Sequence, residues 1–181
     1  MVAVELFRQV EIFRDLTDEH LAQVVGICEE RTYSPGTLIF EEDSEGDELY
    51  IIESGLVEIK VNPELLGVKP SSSPGPTTVA VLRPGQIFGE IALVDEGRRS
   101  AAAVCGEEED TTLLVLDRDE FIALCEKDPS LGYRVMRNIA ADLANKIRST
   151  DMMVREQLLW KRSLEYPLQS RMARGPGQDA S

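Results

Sequence analysis

Histidine is almost missing from this chain: His20 is the only one in 181 residues. With no second histidine or cysteine near it in sequence, it offers neither a metal ligand set nor a histidine-centred acid–base pair, and it is expected on the surface of a helix. Cysteine is scarce too. Cys28, Cys105 and Cys125 are odd in number and their spacing fits no metal template, so they read as reduced thiols of a protein core. No apolar run approaches the roughly 20 residues that a membrane helix needs. A basic leader followed by an apolar stretch is also lacking, since Glu5 and Arg8 already interrupt the first ten residues. No signal peptide is expected, and the chain is expected in the cytoplasm. Without a metal cluster there is no means of activating a hydrolytic water, and an enzyme is not expected.

Positive charge is the next shortage. Lys and Arg number 19 against 33 Asp and Glu, a net charge of −14, which opposes a nucleic-acid backbone. The imbalance is uneven. Residues 1–133 carry 10 basic and 28 acidic side chains, a balance of −18, whereas residues 134–181 carry 9 and 5, a balance of +4. An acidic body joined to a mildly basic C-terminal part points to self-association or to a partner for that part. Hydrophobic residues make up 43% of the chain, enough for a core.

The pattern along the chain has three regimes. Leu6, Val10 and Phe13 suggest a short helix. A second one begins near Thr17, whose hydroxyl suits an N-cap, and carries Leu21, Val24, Val25 and Cys28 at helical spacing. From Glu30 to Leu116, short strands such as 37–40, 49–52, 56–61, 101–104 and 113–116 alternate with Gly, Pro and Asp turns. That series indicates an antiparallel roll or barrel. Residues 63–78 interrupt it with a Pro-, Ser- and Gly-rich run that cannot hold a ladder and reads as an extended hairpin loop. Beyond Asp117 the chain turns helical. A short helix over 119–126 precedes a long one from about 130 to beyond 148, restarted at Asp128-Pro129. Val135, Ile139, Leu143 and Ile147 form its apolar stripe. A separate amphipathic piece is expected to hold Met152, Met153, Val154, Leu158, Leu159 and Trp160, with an irregular polar tail after Tyr166.

The chemistry concentrates between Arg83 and Ala101. Gly89 lets the backbone approach a ligand closely, and Glu90-Ile91-Ala92-Leu93 reads as one helical turn whose first N–H groups suit an anion. Arg99, nine residues past Glu90, can return to the same pocket and fork onto a phosphate. Glu90 would repel that phosphate and so must face another part of the ligand, for which a sugar hydroxyl is a natural donor. One anion site beside one hydroxyl-accepting site describes a nucleoside monophosphate.

Phe88-Gly-Glu-Ile-Ala-Leu93 followed by Arg99-Ser100-Ala101 resembles the phosphate-binding cassette of cyclic nucleotide-binding domains. Such domains occur in bacterial catabolite activators, in the regulatory subunits of cAMP-dependent protein kinase and in cyclic-nucleotide-gated channels. Residues 46–59, 35–41 and 83–89 are similar to the family's roll strands and turn signatures, and the resemblance covers about Leu6 to Arg148. It implies an α+β fold: an antiparallel β-roll, jelly-roll-like, flanked by short N-terminal helices and a long C-terminal helix. The binding domain would span 1–149, with its cassette over 85–101, and 150–181 would form a helical extension and tail. The implied binding residues are Phe88, Gly89, Glu90, Ile91, Ala92, Arg99, Ser100 and Ala101. Glu90 would accept the ribose 2′-hydroxyl, and Arg99 would pair with the cyclic phosphate. Main-chain N–H groups near Gly89, Glu90 and Ala92 would complete the cradle, with a hydroxyl from Ser100. The Arg-Ser-Ala match assigns the phosphate to Arg99 and leaves Arg98 solvated. Leu49, Ile51, Ile59 and Val61 would supply an apolar wall, alternation admitting only some of them.

The implied ligand is cAMP, with cGMP also accommodated, because a hydroxyl residue follows the arginine in binders of both. The family caps the base from the long helix, here near Lys146 to Thr150. About 30 residues follow Ser149, too few for the DNA-reading domain of the activators, so a stand-alone sensor is expected. Its output would be a homodimer through the C-terminal helix or a protein effector. The alternative is a non-binding relict of the fold that serves as a dimerisation or interaction module.

Overall fold

A computed structural model describes residues 2–63, 75–94 and 98–172. Most of the expected 63–78 loop, positions 95–97 of the cassette and the tail after Met172 lie outside the described residues. The chain divides into two units, one ending at Ile139 and the other beginning at Ala140.

The first unit opens with helix α1 (Val2–Gln9), a 3-10 turn (Glu11–Phe13) and helix α2 (Asp18–Val25). Thr17 caps α2, its hydroxyl accepting from the His20 amide at 3.2 Å. Phe7 and Phe13 stack at 5.1 Å and are buried, which fixes the N-terminal helical layer. Eight strands follow: β1 (Cys28–Tyr33), β2 (Leu38–Phe40), β3 (Glu48–Ser54), β4 (Val57–Val61), β5 (Thr77–Leu82), β6 (Ile87–Phe88), β7 (Ala102–Cys105) and β8 (Thr111–Asp117). They form two antiparallel four-stranded sheets, ordered β1-β8-β3-β6 and β2-β7-β4-β5. This is the jelly-roll fold expected from the sequence.

Strand β3 is buried on both faces. Tyr50 and Ile52 join Val57, Phe88, Ala103, Leu113 and Val115 in one core cluster, against which Phe40 and Ile59 pack. Leu49 and Ile51 are equally buried, but alternation turns them to the opposite face. Of the four wall candidates, Ile59 therefore sits with this cluster, while Leu49 and Ile51 do not.

Helix α3 (Arg118–Lys127) is capped by Asp117, which accepts from the Glu120 amide at 3.0 Å. Asp128 then caps α4 (Pro129–Met172), accepting from the amides of Ser130 and Leu131 at 3.1 and 3.2 Å. Val135 and Ile139 are fully buried, so the first half of the apolar stripe belongs to the core. Asn138, 4% exposed, donates to the carbonyls of Ile12 and Arg14 at 3.2 and 2.7 Å. Arg134 and Arg137 reach the carbonyl and carboxylate of Asp15, each at 3.0 Å.

Two expectations change. His20 is half-buried and not a surface residue: its Nε2 lies 3.3 Å from Asp128 Oδ2, because α2 packs against α3 close to the capping aspartate that follows it. The long helix and the amphipathic piece are one element, with no separate restart and no irregular tail directly after Tyr166. No Gly or Pro occurs between Gly132 and Pro167, and the hydroxyl of Thr150 donates back to the Lys146 carbonyl at 2.9 Å without breaking the helix.

The second unit is the continuation of α4 from Ala140. Ile147, Met152, Met153, Val154, Leu158, Leu159 and Trp160 are 48–69% exposed on it. Among the described residues no helix is long and apolar enough to cross a membrane, and no cluster of metal-ligating side chains occurs. The three thiols are free. Burial pushes Cys28 up to about 12 and Cys125 up to about 11, and it raises Cys105 as well.

Candidate functional site

Arg99 is the most unusual side chain of the first unit: a cation only 7% exposed. Its backbone is fixed on both sides, its amide donating to the Ser44 carbonyl and its carbonyl accepting from the Asp43 amide, both at 2.8 Å. The guanidinium carbon lies 4.3 Å from the Phe40 ring centroid and 5.7 Å from that of Tyr50. Tyr50 in turn stacks on Phe88 at 4.9 Å and 8°. These rings attract the cation by their quadrupoles and shield it from water. One guanidinium nitrogen contacts the Gly89 carbonyl at 3.4 Å, whereas the buried Nε has no hydrogen-bond partner among the described residues. A buried donor without an acceptor costs free energy, so a cation with spare donors is chemically matched to an anion.

Two glycines make this arrangement feasible. Gly89 has φ +76, and a Cβ there would fall 2.6 Å from the guanidinium and 2.9 Å from the Glu48 carbonyl. At Gly46 a Cβ would fall 2.4 Å from Arg99 Nε. The chain thus passes the cation closely from two sides.

Gly89 starts a 3-10 turn, Glu90–Leu93, in place of the expected helical turn. Glu90 at its first position is 8% exposed, and Leu93 is buried. Phe88 is buried beside Tyr50, Ala101 is half-buried, and Ile91 and Ser100 are exposed. The side chain of Ala92 lies outside the described residues. Arg98 is exposed and pairs with Asp43 at 3.2 Å, as its solvated reading requires. The structure therefore brings Phe88, Gly89 and Arg99 together in one cluster. Lys146 to Thr150 belong to the second unit, where Lys146 pairs with Asp142 at 3.0 Å.

Sequence reasoning missed Phe40, Gly46, Glu48 and Tyr50 as members of this cluster. Phe40 and Arg99 stand 59 positions apart, and the main-chain bonds of Arg99 to Asp43 and Ser44, just past β2, bring them together. A cleft of about 150 Å³ opens away from this cluster, between Leu56, Val81 and the acidic turn at Glu107–Glu109. That lining repels phosphate, so this cleft does not compete for the role.

Residues 30–128 match the cyclic nucleotide-binding domain, and the chain belongs to that family. The family is a regulatory, ligand-binding one and not a catalytic one. The chain is 36% identical over 141 residues to the cyclic AMP receptor protein of Thermus thermophilus, covering 78% of this chain and 59% of that protein. It is 27% identical over 130 residues to a cGMP-dependent protein kinase, isozyme 2, of Drosophila melanogaster, covering 72% of this chain and 13% of the kinase. The crystal structure of the Thermus thermophilus catabolite activator protein superimposes with a TM-score of 0.65 at 34% identity, over 80% of this chain and 61% of that one. The chain thus spans about three fifths of the receptor and about an eighth of the kinase.

Proposed function

We propose that this domain is a cAMP sensor whose anion site is built on Arg99. The observation that carries the reading is the buried, ring-flanked guanidinium with an unpartnered Nε beside the left-handed turn at Gly89. In this reading Arg99 forks onto the cyclic phosphate, and main-chain N–H groups of Gly89, Glu90 and Ala92 close around it. Glu90 accepts the ribose 2′-hydroxyl and Ser100 adds its hydroxyl, while Phe88, Ile91 and Ala101 flank the cassette. The near burial of Glu90 supports a role beyond surface solvation. The cAMP assignment leans on the receptor being the more similar of the two relatives described, and cGMP is the competing ligand.

The proposed output runs through the C-terminal helix, either to a second copy or to an effector protein. Ile147, Val154 and Leu158 lie on one side of it and are exposed in the single chain, which suits a symmetric two-helix contact. A ligand shifts such an equilibrium only by its differential affinity for the two states.

Thermal melts with cAMP, cGMP and linear 5′-AMP test the reading. A ligand held only by the folded state, at a hundred times its Kd, stabilises by about 2.7 kcal/mol. A rise in Tm with cAMP larger than with cGMP, and none with 5′-AMP, is expected. No shift with either cyclic nucleotide would overturn the reading in favour of the non-binding interaction module.

A further inference from the structure

The Arg99 guanidinium carbon lies 4.3 Å from the Phe40 ring centroid and 5.7 Å from that of Tyr50, and Tyr50 is itself held by a polar chain that no cassette residue belongs to. Glu48 and Tyr50 stand two positions apart on β3 and so project from the same face. The Tyr50 hydroxyl donates to Glu48 Oε2 at 2.5 Å. The other carboxylate oxygen of Glu48 accepts from Arg31 on β1 at 2.8 Å. Arg31 also donates to the solvent-exposed carboxylate of Glu29, at 2.9 and 2.6 Å. The backbone of the same Glu48 also limits the turn, its carbonyl lying 2.9 Å from where a Gly89 Cβ would be.

We propose that Glu48 is a positioning residue for Arg99, acting through the Tyr50 hydroxyl to hold one of the two rings that flank the guanidinium. This rests on the reading of Arg99 as the anion-binding group. The physical reasoning is direct. A tyrosine ring fixed at its hydroxyl end by a carboxylate keeps one face toward the cation, and a phenol donating to a carboxylate carries a more electron-rich ring, which strengthens its attraction for a cation. Burial and Glu48 together hold the Tyr50 phenol protonated well above its usual range, so the donor persists at every working pH. Arg31, always charged, orients Glu48 from outside the site. The ring is thereby registered to both sheet strands and to Gly89, and the cation inherits that register.

The test compares Glu48→Gln, Tyr50→Phe and Glu29→Gln in the full chain. Glu29→Gln removes a carboxylate from Arg31 without touching Tyr50 and serves as the electrostatic control. Calorimetry with cAMP should give about three- to tenfold weaker binding for Tyr50→Phe and Glu48→Gln, and unchanged binding for Glu29→Gln. The Arg99 Nε–Hε cross-peak in a nitrogen–proton spectrum should move or broaden in the first two variants and stay in place in the third, with or without nucleotide. The inference is overturned if that peak is unmoved in Tyr50→Phe and Glu48→Gln, or if all three variants weaken binding alike. If the unaltered chain binds no cyclic nucleotide, the sensor reading fails, yet the cross-peak still decides whether Glu48 positions Arg99.

Discussion

The central carbon of the Arg99 guanidinium lies over the Phe40 ring, 4.3 Å from its centroid. A planar, delocalised cation stacks in this way while keeping forked donors at its rim, and an ammonium does not. Arg99→Lys should therefore keep the charge and lose the site. Hydrogen bonds to charged groups contribute about 1.5–3 kcal/mol, so calorimetry should show cAMP affinity falling by roughly tenfold to a hundredfold, with the far-ultraviolet spectrum unchanged. Affinity equal to that of the unaltered chain would remove Arg99 from the proposed role.

The two glycines beside Arg99 should separate stability from binding. Alanine at Gly89 meets the Glu48 carbonyl and the positive φ together, which are backbone constraints. It should destabilise the fold by about 1–3 kcal/mol in urea. For alanine at Gly46 the three nearest atoms all belong to the Arg99 guanidinium, the far end of a flexible side chain. Gly46→Ala should melt near the native temperature yet bind cAMP several-fold more weakly, as the displaced guanidinium leaves its aim.

Asn138 answers two carbonyls at once. Asn138→Ala removes the donor from both, leaving the Ile12 carbonyl unmet in a buried place, and an unmet buried polar group costs about 1–3 kcal/mol. Equilibrium unfolding in urea should show a lowered midpoint with an unchanged slope.

Alkaline pH should weaken the fold through Cys28. Burial first, and Glu120 second, push its thiol up from 9.0 to about 12. The folded chain thus holds its proton more tightly than the unfolded chain does. The associated stability is complete below about pH 9 and is lost as pH rises from there toward about 12. A Tm series from pH 8 upward should fall, and Cys28→Ala should fall less steeply; identical slopes would remove Cys28 as a cause.

The helical contact has its own readout. Leu158 is 62% exposed, and replacing it with glutamate puts like charges on both sides of a symmetric interface. Light scattering should report a dimer for the unaltered chain and a monomer for Leu158→Glu.

The roll was legible because Gly, Pro and Asp turns punctuate it and because the stretch from Phe88 to Ala101 is local in sequence. Thr17 was readable as a cap for the same reason. Phe40, Glu48 and Tyr50 were not readable as site residues, since each is an ordinary strand residue until β2 and β3 meet around Arg99. Tyr50 in particular sits in a run, Leu49 to Ile52, in which every side chain is buried, so alternation of polarity could not tell its two faces apart. His20 was misplaced because its neighbour Asp128 is more than a hundred positions away. The amphipathic piece from Met152 to Trp160 continues the long helix because no Gly or Pro intervenes and the Thr150 hydroxyl is satisfied on the helix, at the Lys146 carbonyl.

The clasp of Asn138, Arg134 and Arg137 on the segment from Ile12 to Asp15 sets the boundaries of any excised fragment. A version trimmed to begin at α2 would leave three donors on α4 without their acceptors. A version ending before Asn138 would orphan the carbonyls of Ile12 and Arg14. Both ends of the first unit must be retained together, so the smallest autonomous piece is wider at each end than residues 30–128, the span matched to the family.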